Sequence, residues 1–342
     1  MTADVRVYVV TYRRPHLLER ALGSLLAQTH SSWVAEVLND DPDDPRVAAL
    51  IGRLGDPRIT LSSPMRRRGG TGNFNHAFQS VGEPFAAILE DDNWWEPGFL
   101  TAMLDALARN PDVDLACGNE RLWREQIDGS WRDTGKTIWS AADGERRFGW
   151  NVLDKCGSAK LCNSAMVFRT ARCEAWRTPA AIPIDVTEHF RERAVPHPVL
   201  LVMSPLVNYG DTLVTHRSKS RSVWASYQLL LLGSVFALLA PGRRETLARN
   251  LWRKAREQTP LLSATLLAAG FYIPEARELW RQARFLDRVM FIVRALRHPL
   301  IAMALRDVRA RHREEWDWLQ QGAFADFLRH GPVSWAAQAE PN

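Results

Sequence analysis

The sequence predicts an α/β protein: a Rossmann-like, mostly parallel central sheet with helices on both faces, followed by an all-helical C-terminal region. Three observations carry this expectation. Apolar strand-like runs alternate with amphipathic helix patterns as far as about residue 118, the rhythm that places a parallel sheet between two helical layers. The carboxylate run Glu90-Asp91-Asp92 follows directly on an apolar segment, at the strand end where open α/β sheets bind ligands. Beyond about Lys219 the pattern is helical, with Pro241-Gly242, Pro260, Pro274 and Pro299 as breakers.

Residues 5–10 (Val-Arg-Val-Tyr-Val-Val) read as the first strand. Thr-Tyr-Arg-Arg-Pro follows at once, so the segment does not read as a signal peptide. Pro15 suits a first helical turn and opens a helix to about 28. Residues 34–38 are the second strand, 47–54 a short helix and 59–61 a third strand; a helix over about 73–80 then precedes the strand 85–89. Pro97 opens a helix to 109, and 113–118 is the next strand. Asp128-Gly129, a dipeptide suited to a tight turn, joins 120–126 to 131–137 as a hairpin that interrupts the alternation. Residues 223–240 hold no charge over 18 positions, the lower limit of a membrane span, but Ser, Gln and Gly within them favour a buried helix over a membrane contact.

Composition narrows the partners. The chain has 342 residues, 46% of them hydrophobic, ample for one large domain and an appendage. Four cysteines without a C-x-x-C pair or a histidine cluster argue against a zinc site and fit a reducing cytoplasm. The net charge of +5 is unevenly spread: residues 1–218 hold 25 Lys/Arg against 28 Asp/Glu, and 219–330 hold 19 against 10. A basic helical tail fits an anionic lipid surface, an acidic acceptor or simple solvation; no nucleic-acid motif accompanies it, so no nucleic-acid partner is expected.

Three adjacent carboxylates raise one another's pKa unless a hard divalent cation takes their oxygens, and an acidic turn capping the helix at Pro97 is the plainer alternative. With three further motifs, the stretch resembles the family 2 glycosyltransferases. These motifs are Val9-Val10-Thr11-Tyr12-Arg13-Arg14-Pro15 with Ser24-Leu25-Leu26-Ala27-Gln28, then Val37-Leu38-Asn39-Asp40-Asp41, and, after Glu90-Asp91-Asp92, Asp185 through Arg191. Their order and spacing carry the likeness, which covers roughly residues 5–218. It implies a GT-A fold over 1–218, with a donor half of about 1–118 and an acceptor half of about 119–218, followed by the helical region 219–342. It also implies an inverting, nucleotide-sugar-dependent enzyme.

The resemblance assigns Thr11, Tyr12, Arg13 and Asp40 to the nucleotide, with Asp41 as the alternative to Asp40 in a crowded loop. A carboxylate there accepts from the ring N–H of uracil, thymine or guanine, which cytosine lacks, so UDP, dTDP and GDP donors are expected. Arg68, Gly70 and Asn73 lie where the family borders the donor, in a loop whose glycines admit a ligand and whose arginines neutralise a diphosphate. Asp91 would hold the ribose or the metal's water shell, Asp92 would bind Mn2+ or Mg2+, and Glu90 replaces the family's first Asp. Asp185 matches the general base, with Glu188 and His189 as competitors and helix capping as the alternative; His216 matches a metal or pyrophosphate contact. Trp94 and Trp95 near the donor, and the segment 139–163, are expected to meet sugar rings, whereas Trp252, Trp280, Trp316 and Trp318 sit at core-like helical spacing.

The acceptor is read only as a hydroxyl on a glycan, a lipid-linked sugar or a natural product. The C-terminal helices are expected to make a peripheral membrane contact, at the inner face of a membrane, or a homodimer contact. A silent sugar-binding or scaffold protein on the same fold is the main alternative function. A sugar-phosphate nucleotidyltransferase is disfavoured, because residues 9–15 lack the glycines of a phosphate loop.

Overall fold

The computed structural model describes residues 3–149, 151–156, 159–214, 221–257 and 260–331. Its ten strands are β1 (Val5–Thr11), β2 (Trp33–Asn39), β3 (Ile59–Ser62), β4 (Phe85–Glu90), β5 (Trp94–Trp95), β6 (Leu115–Glu125), β7 (Trp131–Thr137), β8 (Glu145–Phe148), β9 (Met166–Arg169) and β10 (Val199–Asp211). They form one sheet in the order β3-β2-β1-β4-β9-β6-β10-β5, with β7 paired to β6 and β8 to β10. The β3-β2-β1-β4 half is parallel; β9 then runs antiparallel to both β4 and β6, and β6 and β10 are again parallel.

The helices α1 (Pro15–Leu26), α2 (Pro45–Leu54), α3 (Gly69–Ala77) and α4 (Phe99–Arg109) follow β1, β2, β3 and β5. Pro15 occupies the first turn of α1, and Leu18, Ala21, Leu22 and Leu25 are its buried stripe. The helix expected near 73–80 begins earlier, at Gly69, because Asp40 Oδ1 accepts from the backbone N–H groups of Arg68 (2.8 Å) and Gly69 (3.0 Å). That cap comes from 28 residues away in sequence, beyond any local signal. The segments 113–118 and 120–126 are not separate strands but one, β6. Its hairpin with β7 turns at Asp128-Gly129, where Gly129 has φ 80°.

The remaining helices are α5 (Val152–Lys155), α6 (Thr187–Ala194), α7 (Arg221–Leu238), α8 (Pro241–Glu257), α9 (Pro260–Tyr272), α10 (Arg277–Gln282), α11 (Phe285–Arg297), α12 (Pro299–Arg306), α13 (Val308–Arg311), α14 (Arg313–Leu319) and α15 (Gly322–His330). They build a second apolar core around Leu229–Leu232, Val235 and Phe236 of α7, so that uncharged stretch is a buried helix. Val152, Ile182, Val186 and Phe190 belong to the same core, which ties the helical region to the turn and helix bordering the cleft. Arg193 bolts the two parts together, donating from Nη1 to Ser234 Oγ (2.7 Å) and from Nη2 to the carbonyls of Leu231 (2.8 Å) and Lys155 (3.1 Å). Trp252 and Trp316 are buried and Trp280 and Trp318 partly so, as their spacing predicted. No helix among the described residues is long and apolar enough to cross a membrane.

Candidate active site

The carboxyl ends of β1, β2 and β4 meet at a cleft of about 240 Å³, closed on the far side by the turn before α6. Thr11, Tyr12, Asp40, Gly70, Asn73, Asp91, Asp92 and Asp185 all line it. Arg13 and Arg68 do not; their neighbours Arg14 and Arg67 do. Arg13 takes a left-handed φ of 59° and its guanidinium pairs with Asp41, away from the cleft. His216 lies outside the described residues.

Arg14 organises the acidic strand end. Its Nη2 donates to Asp91 Oδ1 (2.5 Å) and its Nη1 to Asp92 Oδ2 (2.8 Å), so one guanidinium spans both carboxylates. Asp91 is wholly buried and also accepts from Thr11 Oγ1 (2.8 Å) and, at 3.4 Å, from the backbone N–H of Tyr12. Burial pushes its carboxyl up to about 7, against the Arg14 charge that pulls it down. Asp92 is part-exposed, its side chain 21% accessible, and is the carboxylate that presents itself to a ligand.

A divalent cation fits this donor set. Mg2+ and Mn2+ are commonly held by one or two carboxylates together with substrate phosphates, and Asp92 supplies such an oxygen. A second group of donors, Glu90, Cys162 and Glu188, lies within 4.8 Å of one another, but it mixes in a thiol whose proton burial retains and is not an all-oxygen set.

Asn73 is the clearest waiting contact. It is 1% exposed, it lines the cleft, and neither atom of its amide has a hydrogen-bond partner among the described residues. Asp40 spends Oδ1 on α3 and keeps Oδ2 near Arg67 Nε, 3.9 Å away. Arg67 in turn lies over the Tyr12 ring at 4.2 Å. Gly70 has a structural reason to lack a side chain: a Cβ there would sit 2.7 Å from Ile184 Cδ1. The glycine admits the turn Ile184–Val186, which carries Asp185. Thr71 fastens the same turn, donating to the Ile182 carbonyl (2.6 Å) and meeting Thr187 Oγ1 (2.9 Å).

Behind Asp185, Glu188 accepts from the backbone and side-chain nitrogens of Asn163, each at 3.3 Å. Arg191 donates to Asn163 Oδ1 and stacks over Phe78 at 4.6 Å; burial pulls its pKa down to about 10. The tryptophan expectation divides. Trp95 is core, stacked on Phe99 and bonded to the Ser164 carbonyl (2.7 Å). Trp94 is covered by the Arg20 guanidinium at 3.8 Å, and Trp131, edge-on to Trp94 at 5.5 Å, meets the same cation at 3.9 Å. Of the segment 139–163, Trp139 is buried against Phe148 and Asn163 reaches the cleft.

Sequence reasoning passed over Arg14 and Arg67, and reached Asn163 only as the end of the segment 139–163. For Arg14 a signal was present, since the residue before Pro15 stands at the mouth of α1, beside the end of β1.

A parallel half-sheet whose acidic strand end lines a cleft, with a helical region following, is an α/β fold of the GT-A class. Residues 6–168 match the sequence model described as Glycosyl transferase family 2, and this domain belongs to that family. Among curated relatives, the UDP-Glc:alpha-D-GlcNAc-diphosphoundecaprenol beta-1,3-glucosyltransferase WfgD of Escherichia coli is 25% identical over 118 residues, 34% of this chain and 46% of that protein. The succinoglycan biosynthesis protein ExoO of Rhizobium meliloti is 30% identical over 102 residues, 30% of this chain and 29% of that protein. The chain thus spans less than half the length of these relatives. Among solved structures, S. aureus TarS 1–349 in complex with UDP superposes with a TM-score of 0.58 at 13% identity, covering 91% of each chain. The same protein with UDP-GlcNAc gives 0.54 at 11%, covering 99% of this chain and 98% of that one. At such identities the likeness is one of fold.

Proposed function

We propose that the chain is a glycosyltransferase that moves a sugar from a UDP, dTDP or GDP sugar to an acceptor hydroxyl with inversion of configuration. The observation that carries this reading is that Asp185 lines the same cleft as Asp91 and Asp92, together with Asn73, whose amide has no hydrogen-bond partner among the described residues. Asp40 Oδ2 and the Tyr12 ring hold the base, and Thr11 and Asn73 the ribose and phosphates. Arg67 takes the nucleotide-side role expected of Arg13 and Arg68. Asp92 would hold Mn2+ or Mg2+, which when bound would supply Lewis-acid stabilisation to the departing diphosphate.

Asp185 accepts the acceptor hydroxyl's proton as that oxygen bonds to the anomeric carbon. The bond from that carbon to the diphosphate oxygen breaks with its electron pair leaving on the diphosphate, a single displacement that inverts the centre. Arg14 holds Asp91 and Asp92 in register for this.

That WfgD is named for a lipid-diphosphate-linked acceptor supports an acceptor hydroxyl on a glycan or lipid-linked sugar, with a natural product as the remaining class. The C-terminal helices serve as a contact region, with a membrane surface or a second copy as the partner. Four free, buried cysteines support a reducing, cytoplasmic setting.

Calorimetric titration with UDP, dTDP and GDP, each with and without Mn2+, tests the reading. Metal-dependent binding of one nucleotide is expected, with its metal dependence abolished by Asp92→Ala. No binding of any nucleotide would replace it with the silent-scaffold reading.

A further inference from the structure

Helices α11 and α12 present a surface that the cleft chemistry does not use. None of the side chains of α11 is buried. Phe285, Val289, Ile292 and Leu296 recur at helical spacing along one stripe and are 71%, 38%, 41% and 76% exposed. Leu300 and Met303 of α12, 80% and 63% exposed, extend the apolar area. Contiguous exposure of this kind marks a contact surface, not ordinary scatter.

The charge around the stripe is one-sided. Residues 284–306 hold Arg284, Arg288, Arg294, Arg297 and Arg306 against one acid, Asp287. None of these five arginines forms an ion pair among the described residues; the nearby pairs belong to Arg281 with Glu278 and Arg309 with Glu275. With 3.6 residues per turn, Arg288 and Arg297 fall on opposite sides of the apolar stripe. A second copy docking here would set arginines against arginines, whereas a surface of negative charge over hydrocarbon complements both features. Beneath the two helices lies a cleft of about 640 Å³ lined by Met290, Phe291, Ile301 and Leu305, apolar space that continues inward from the exposed face.

We infer that α11 and α12 seat the protein on an anionic lipid bilayer. The helices lie in the plane of the interface, the Phe285 to Leu296 stripe and Leu300 enter the acyl region, and the flanking arginines meet headgroup phosphates. This rests on the reading of the C-terminal helices as a contact region and is independent of the donor chemistry.

Flotation of the full chain with phosphatidylcholine vesicles, with and without phosphatidylglycerol, tests it. Binding is expected only where phosphatidylglycerol is present, and high salt should release the protein. Arg288→Gln with Arg297→Gln should weaken partition roughly fivefold per arginine. Leu296→Asp with Leu300→Asp should abolish it while the melting curve and nucleotide binding stay unchanged, since both leucines are exposed. Failure to bind either vesicle, or equal binding to both, overturns the inference. So does a dimer in sedimentation that Leu296→Asp dissolves, which would give the face to a second copy. Loss of nucleotide binding in the parent protein would count against the donor reading alone.

Discussion

Glu120 provides a quantitative test of the acidic wall behind the cleft. It is 3% exposed on β6, and its carboxyl is pushed up to about 8, first by burial and then by the charges of Glu188 and Glu90. The native protein therefore carries this proton at neutral pH, whereas an unfolded glutamate, with a pKa of about 4.3, has lost it. Between those values the folded state binds more protons, so stability falls as pH rises through the interval and levels off above about 8. At roughly 1.4 kcal/mol per unit, the loss over the whole interval is about 5 kcal/mol, of which about 4 kcal/mol falls between about pH 5 and about pH 9, upper figures because the interior relaxes around a new charge. Glu120→Gln keeps the shape, stays neutral and removes the proton uptake. Urea unfolding from about pH 5 to about pH 9 should show the parent losing stability relative to the variant by up to that amount. Asp91, raised to about 7, slopes the same way but is common to both proteins and cancels in the comparison. Parallel pH curves would show that Glu120 is ionised in the fold and that the charge assignment of the wall is wrong.

The other expectations concern the base, the turn that carries it and the joint between the two cores. Asp185→Asn should keep nucleotide binding and lose transfer by roughly 10²- to 10⁴-fold; unchanged turnover would move the base to Glu188. Gly70→Val, forced against Ile184, should displace the Asp185 turn and lower turnover roughly hundredfold with little effect on nucleotide affinity. Equal losses in both would instead place Gly70 on the donor. Arg193→Ala removes three buried hydrogen bonds and should cost about 3 kcal/mol in urea unfolding; a loss below about 0.5 kcal/mol would mean the joint is held by apolar packing alone.

What the sequence made legible, and what it hid, follows from how far apart the cause and the effect lie in the chain. Strands β1, β2 and β4 were readable because each is an apolar run closed by polar residues, and the acidic end of β4 pointed to the cleft. Strand β10 was not, because Pro205 reads as a breaker. The structure absorbs it with shifts of register on either side of Pro205 against β6, where the missing N–H costs least. The early start of α3 was hidden because Asp40 caps it from another loop. That Arg13 does not line the cleft was hidden because it depends on a left-handed φ at Arg13, a conformation for which an arginine gives no cue.

The strand order explains why the site exists at all. Because β2 and β4 flank β1 in parallel, Thr11, Asp40 and Asp91 end at one edge, and the backbone bonds from Asp40 N–H to the Thr11 carbonyl (3.0 Å) and from Asp91 N–H to the Val10 carbonyl (3.0 Å) continue those ladders past the strands. Strand β9 runs the other way, so its entry, not its exit, arrives at the end of β4. Ser164 just before β9 therefore accepts from Glu90 N–H (2.9 Å) and donates back to Glu90 Oε2 (3.0 Å). Asn163 beside it joins Glu188 and Arg191 of α6 to the same wall. A parallel continuation would have carried this segment to the opposite edge of the sheet. The reversal at β9 is what brings helix α6, and Asp185 in the turn before it, to the edge where Asp91 and Asp92 already stand.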